Sequence, residues 1–119
     1  MKNYIQRGEV IEVLAASSAV ASGQVVVIGA LLAVANHPAA VGEPFNANLL
    51  GVYEVPKAPG LPIAQGDALY WDVSAEVFTT DGAPAAGDVS GAVAAFASAA
   101  AGETFVLARF AGVPGSVAA

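Results

Sequence analysis

The chain has 119 residues and no cysteine. That excludes disulfides and thiolate metal sites outright. A protein that must persist without disulfides needs another source of stability, and oligomerisation is the common one. Charge is also scarce: charged residues make up 12% of the chain, about half the usual share. The four cations, Lys2, Arg7, Lys57 and Arg109, are scattered, and ten acids give a net charge of −6. Nucleic-acid phosphate calls for clustered Lys and Arg, and an anionic membrane surface repels an acidic protein. No nucleic-acid or membrane partner is expected.

Catalytic signatures are missing as well. There is no phosphate-binding glycine loop ending in Lys-Ser/Thr, no Gly-x-Ser-x-Gly elbow and no calcium-binding run of acids. The single histidine, His37, sits beside Pro38 in a loop-like segment, where it reads as a solvent-exposed or loop-packing residue rather than a triad base. No catalytic residue, metal site or cofactor is expected. The uncharged stretch from Val13 to His37 is interrupted by Ser17, Ser18, Ser22, Gly23 and Gln24, so it reads as strand, turn, strand and not as a membrane helix. The opening Met1 to Glu9 places polar and acidic residues where the apolar region of a signal peptide would begin.

What is present is apolar and short-ranged. Hydrophobic residues make up 56% and the mean hydropathy is +0.65, with much of this coming from alanine. So little charge leaves apolar surface to be buried against a partner, which favours assembly. Short apolar runs separated by Gly, Pro, Asp and Ser predict strands at residues 9–14, 24–28, 31–35, 49–55, 68–73, 76–80, 89–96 and 104–110. The fold class is therefore all-β, a compact barrel or sandwich of about seven or eight short strands. Residues 92–101 are alanine-rich and read either as one short helix or as a strand ending near Phe96. Residues 36–48 and 56–62 hold prolines and glycines and read as loops. One β-rich domain over residues 1–119 is expected, with residues 1–8 a possible extended arm and 112–119 a C-terminal tail.

One turn pattern recurs as Ala21-Ser22-Gly23-Gln24, Ala64-Gln65-Gly66-Asp67, Ala85-Ala86-Gly87-Asp88 and Ala100-Ala101-Gly102-Glu103. Glycine supplies the positive φ of a tight turn, and the polar residue can bond its backbone. The glycines lie 43, 21 and 15 residues apart, so the recurrence is one of turn chemistry and not a solenoid repeat. The segment from Tyr70 to Thr80 reads as a hairpin, with Leu69, Trp71 and Val73 on one face of its first arm and Ala68, Tyr70 and Asp72 on the other.

Three groups could carry function. Asp67, Asp72 and Glu76 could supply a carboxylate pair for a small hydrolase, although acids beside turns commonly cap them. Trp71, Tyr70 and Tyr53 could serve a carbohydrate-binding or other adhesive β-module, although Tyr70 and Trp71 point to opposite faces. The segment Asn3-Tyr4-Ile5-Gln6 reads equally as a frayed terminus or as an arm that adds to a partner's sheet edge.

The opening from Met1 to Ile11 resembles the start of the phage capsid cement, or head decoration, proteins. The resemblance continues through Ala19 to Gly23, Gly51 to Lys57, Gly66 to Asp72, Thr79-Thr80, Gly91 to Ala94 and Val106 to Phe110. The ordered set carries it, not any one landmark. Some such proteins bear recombinase-like labels, and nothing here supports ATP-dependent recombination. The resemblance implies a non-enzymatic virion protein, made in the bacterial host cytoplasm, that binds the outside of an expanded head and stabilises the shell. The implied partners are the major capsid protein and further copies of the chain, often in a homotrimer. Asn3, Tyr4, Ile5 and Gln6 are the implied capsid or subunit contact. The alanine and proline around residues 58–62 and 82–86, and the tail, depart from the family pattern.

Overall fold

The computed structural model describes residues 8–80 and 85–118. The arm residues Asn3, Tyr4, Ile5 and Gln6 lie outside them. The chain forms two antiparallel sheets that pack as a sandwich. The first contains β1 (Val10–Val13), β2 (Val25–Ile28), β3 (Leu31–Ala35) and β4 (Phe45–Asn48), in the spatial order β1-β4-β3-β2. The second contains β5 (Leu50–Pro56), β6 (Ala68–Asp72), β7 (Val77–Thr79), β8 (Val89–Ala95) and β9 (Phe105–Ala111), in the order β5-β9-β8-β6-β7. A final two-residue strand, β10 (Ser116–Val117), pairs with β8.

All eight expected strands are present, with ends shifted by no more than a residue or two. Two further strands lie where none was expected. β4 falls inside the segment read as a loop, because Phe45-Asn46-Ala47-Asn48 alternates apolar and polar residues yet spends both polar positions on asparagine, a poor strand former. β10 pairs the C-terminal residues Ser116 and Val117 with β8. Gly115 donates to the Ala30 carbonyl at 2.8 Å, and a side chain at Gly115 would collide with the Ser90 carbonyl. No helix occurs among the described residues. Residues 92–95 belong to β8, and Ala92, Ala95 and Ala99 are buried in the core while Ala100 and Ala101 are exposed. Tertiary burial there overrides the helix propensity of a segment too short to hold a helix alone.

The recurrent turns prove to be parts of a duplicated architecture. Mapping β1, β2, β3 and β4 onto β5, β6, β8 and β9 reproduces the strand order of the second sheet, and that order is a Greek key. The registers coincide too: Val10↔Asn48 corresponds to Val52↔Arg109, Val25↔Val34 to Ala68↔Ala94, and Ala35↔Ala47 to Ala95↔Ala108. The isolated bridge Val20↔Ala39 corresponds likewise to Ile63↔Ala99. β7 and β10 belong to the second unit alone.

The turns also share a backbone bonding pattern. In each of four turns a glycine at positive φ donates to the carbonyl of an unrelated residue, and that residue's N–H returns a bond to the next carbonyl of the turn. The sets are Gly23, Ala35 and Gln24; Gly42, Ala16 and Glu43; Gly66, Ala95 and Asp67; and Gly87, Ala118 and Asp88. The partner is alanine every time. The turn containing Gly42 escapes the sequence pattern as first read, although Ala40-Val41-Gly42-Glu43 conforms to it. Gly102 closes the expected turn through the Glu103 N–H on the Ala100 carbonyl at 3.1 Å, without a positive φ.

Two buried clusters result. The larger joins Val25, Leu32 and Val34 of the first sheet to Val55, Leu69, Trp71, Phe78, Val106 and Phe110 of the second. The smaller lies on the opposite face of the first sheet, where Ala33, Ala35 and Ala47 meet Ala16 and Ala39 from the connecting loops. Within β3, Leu32 and Val34 thus join the cluster shared with the second sheet, and Ala33 and Ala35 join the cluster on the opposite face, with Leu31 packed against it. Lys57 is also buried, and its ammonium donates to the carbonyls of Ala58 at 3.1 Å and Leu61. It holds the proline-rich loop of residues 56–62 in place.

Candidate functional site

The three acids are turn residues. Asp67 accepts the Ala64 N–H at 2.9 Å, closing one of the recurrent turns. Asp72 Oδ1 accepts the Ser74 hydroxyl at 2.8 Å and the N–H groups of Ser74 and Ala75 at 3.0 and 3.1 Å. Glu76 occupies the left-handed region at φ 56° and donates its N–H to the Asp72 carbonyl at 2.8 Å. Asp67 precedes β6 and Asp72 ends it, which puts them roughly 17 Å apart along the strand, beyond the ~5–10 Å that two-carboxylate hydrolysis requires. The Asp72 carboxyl is held below its ordinary 3.8, first by the Ser74 hydroxyl and then by the Ala75 and Ser74 N–H groups. A general acid needs the opposite shift. Among the described residues, no group of three or more His, Asp or Glu side chains is placed to hold a metal.

The Asp72 turn makes a direct prediction. A carboxyl whose folded pKa is depressed favours the fold above its unfolded pKa, and that contribution is lost as pH falls through the folded pKa. Ser74→Ala is expected to move the Asp72 midpoint upward toward 3.8, read from the carboxyl carbon by NMR titration. An unchanged midpoint would show that the hydroxyl is not the cause.

The aromatic residues are likewise committed to the fold. Trp71 is buried and packs edge-on against Phe78 with ring centroids 4.8 Å apart. Tyr53 leans over Gly51 onto Phe110 at 5.6 Å and donates its hydroxyl to the Leu50 carbonyl at 3.0 Å. Tyr70 is half-buried on the other face of β6, so the three rings form no common platform. His37 is an exposed loop residue, as expected: its Nε2 accepts the Asn46 N–H at 3.2 Å, which leaves Nδ1 to donate to the Pro38 carbonyl.

What the fold leaves outward is an apolar face. β9 alternates strictly, with Val106, Ala108 and Phe110 inward and Phe105, Leu107 and Arg109 outward. Register places Val52 beside Arg109, Glu54 beside Leu107 and Pro56 beside Phe105. Phe96 joins them through its N–H on the Leu107 carbonyl at 2.8 Å. Phe96 and Phe105 are each 49% exposed. Phe105 and Leu107 line an open groove of about 530 Å³ that runs along β9 between Glu54 and Glu103. Sequence reasoning noted surplus apolar character but did not locate this face. The strict alternation of Phe105 to Phe110 was the available signal.

Against known proteins, the family model for phage cement protein matches residues 5–110. No curated protein and no solved structure matches the chain.

Proposed function

We propose that this chain, which belongs to the phage cement protein family, binds the outer surface of an assembled phage head and stabilises the shell by a non-enzymatic, structural role. Its partners are the major capsid protein and further copies of itself, in a homotrimer. The observation that carries this reading is the outward apolar face of β5 and β9, which presents Val52, Phe105 and Leu107, with exposed Phe96 bonded through its N–H to the Leu107 carbonyl. A face of this kind is a protein-docking feature.

Charge supports the outer surface over the inner one. The chain carries a net charge of −6, and among its described residues Arg109 is the one exposed cation, Lys57 being buried. Packaged DNA would repel such a protein. The arm, residues 1–8, supplies a contact to the capsid protein or to a neighbouring subunit. Stabilisation follows from mass action, since a protein that binds only the assembled shell shifts the balance toward it. The test is co-sedimentation with cognate expanded heads, with Leu107→Glu as the disruptive variant on the apolar face. Binding that saturates, and that weakens at least tenfold with Leu107→Glu, is expected. A chain that stays in the supernatant would end the reading.

A further inference from the structure

The two sheets differ at one edge. In the second, β6 pairs with β8 on one side and with β7 on the other, Trp71 lying opposite Phe78. In the first, the counterpart strand β2 pairs with β3 alone. Loop length is the cause. β2 and β3 are joined by Gly29-Ala30 only, with Gly29 at φ 62° as a two-residue hairpin turn requires. The connection between β6 and β8 is long enough to lay β7 across the edge.

The open edge is well defined. The Ala35 N–H donates to the Gln24 carbonyl at 2.9 Å. Antiparallel alternation then commits Val26 and Ile28 to β3 and turns the N–H and C=O groups of Val25 and Val27 to the open side. No described strand pairs there. Val25-Val26-Val27-Ile28 carries no lysine, proline or bulge of the kind that guards a solvent-facing edge. Beside it lies a cavity of about 260 Å³ whose lining includes Val25, Val27, Trp71, Val73 and Glu76.

The chain holds one candidate strand to fill it. Residues 1–7 place Tyr4-Ile5 between the amides Asn3 and Gln6, and carry two of the four cations and none of the ten acids. They suit an apolar edge on an acidic body with Glu76 beside it. They do not reach it within their own copy. Val10 is level with Val25 across the sheet, through Asn48 and Val34. A strand added beyond β2 therefore lies about four strand spacings, or ~19 Å, from β1. At about 3.3 Å per residue, crossing from Val10 takes roughly six residues, which spends Tyr4, Ile5 and Gln6 on the way and leaves them unable to pair there. The occupant comes from another copy.

We propose that residues 3–6 of one copy add as a strand to the β2 edge of a neighbouring copy, occupying in the first sheet the place that β7 takes in the second. This deepens the reading of the chain as an assembling shell protein and rests on it. Because the chain has no cysteine, disulfide trapping is a clean test. Chains carrying Val27→Cys are mixed with chains carrying Tyr4→Cys or Ile5→Cys and oxidised. Paired strands bring such positions within about 5 Å, so one combination is expected to give a mixed dimer at least tenfold above an exposed Leu14→Cys control. A labelled peptide of residues 1–8 is expected to exchange onto the full chain, and at least tenfold more weakly onto the Val27→Pro chain. Proline is tolerated at that position because its nitrogen faces the open edge, so thermal unfolding should be unchanged. Trapping no better than the control, or equal peptide binding by Val27→Pro, overturns the proposal. If the chain co-sediments with heads but fails these tests, arm exchange falls and the shell-binding reading stands. If trapping succeeds and co-sedimentation fails, the shell-binding reading falls instead.

Discussion

Phe78→Ala is expected to cost about 3–5 kcal/mol of stability and, for a chain of this size, on the order of 15 °C in Tm. Phe78 is fully buried, the central residue of the three-residue strand β7. Its ring meets Trp71 at 4.8 Å and Phe110 at 6.0 Å, both edge-on, so truncation removes two aromatic pairings as well as apolar burial. The loss extends further. The Phe78 carbonyl accepts the Ala58 N–H at 2.9 Å, and Lys57 bridges to the same residue. These bonds draw the end of β5 toward β7 and fix the loop that the buried Lys57 ammonium holds. A strand of three residues has little else to keep it in place. The measurement is the denaturant midpoint, with Tyr70→Ala on the half-buried face of β6 as a control expected to cost far less. An unchanged slope together with a shifted midpoint would assign the effect to the native fold. A loss under ~1 kcal/mol would mean that β7 is peripheral to the core.

The fold was largely legible because its strands are short, apolar and separated by glycine turns. β3 reads from Leu31 to Ala35 with no error at either end, since Gly29 and Asn36 bracket it. That Tyr70 and Trp71 lie on opposite faces follows from period-two alternation. β4 was hidden because its polar positions are asparagines inside a segment rich in proline and glycine. β10 was hidden because two residues carry no pattern at all. The helix alternative for residues 92–101 arises from intrinsic propensity, which says nothing of the tertiary burial of Ala92, Ala95 and Ala99.

The duplication was less legible, for a physical reason. Its two copies share backbone geometry more than side chains. Val10-Ile11-Glu12-Val13 and Val52-Tyr53-Glu54-Val55 resemble each other, but the β7 insertion and single-residue shifts break any constant spacing. Only the hydrogen-bonded registers restore the correspondence. The candidate site divides in the same way. The acids and rings that could have been catalytic or sugar-binding are resolved by their partners, none of which the sequence names. The outward face of β9 required knowing which side of the strand the core takes.

Removing residues 1–7 is expected to leave thermal unfolding within about 2 °C of the full chain while weakening binding to expanded heads by on the order of 100-fold. The first half rests on placement. All ten strands and both buried clusters lie within residues 8–118, so the deletion removes no described core contact. The second half follows from linkage. Copies joined by exchanged arms, or arms gripping the capsid protein, bind the shell together, and each later contact forms at high effective concentration. Cutting the arms returns each copy to its own modest affinity. Mass action then sets the consequence for the shell. A protein present at 100 times its Kd stabilises each site by about 2.7 kcal/mol, and a 100-fold loss reduces this to about 0.4 kcal/mol. Multiplied over many sites, that difference should appear as a lower temperature of heat-induced DNA release from decorated heads. A sedimentation titration gives the affinity and the release temperature gives its effect. Unchanged affinity would relieve the arm of any contact role and leave the β5–β9 face as the whole interface. A fall in the Tm of the isolated truncated protein would place residues 1–7 in the fold itself.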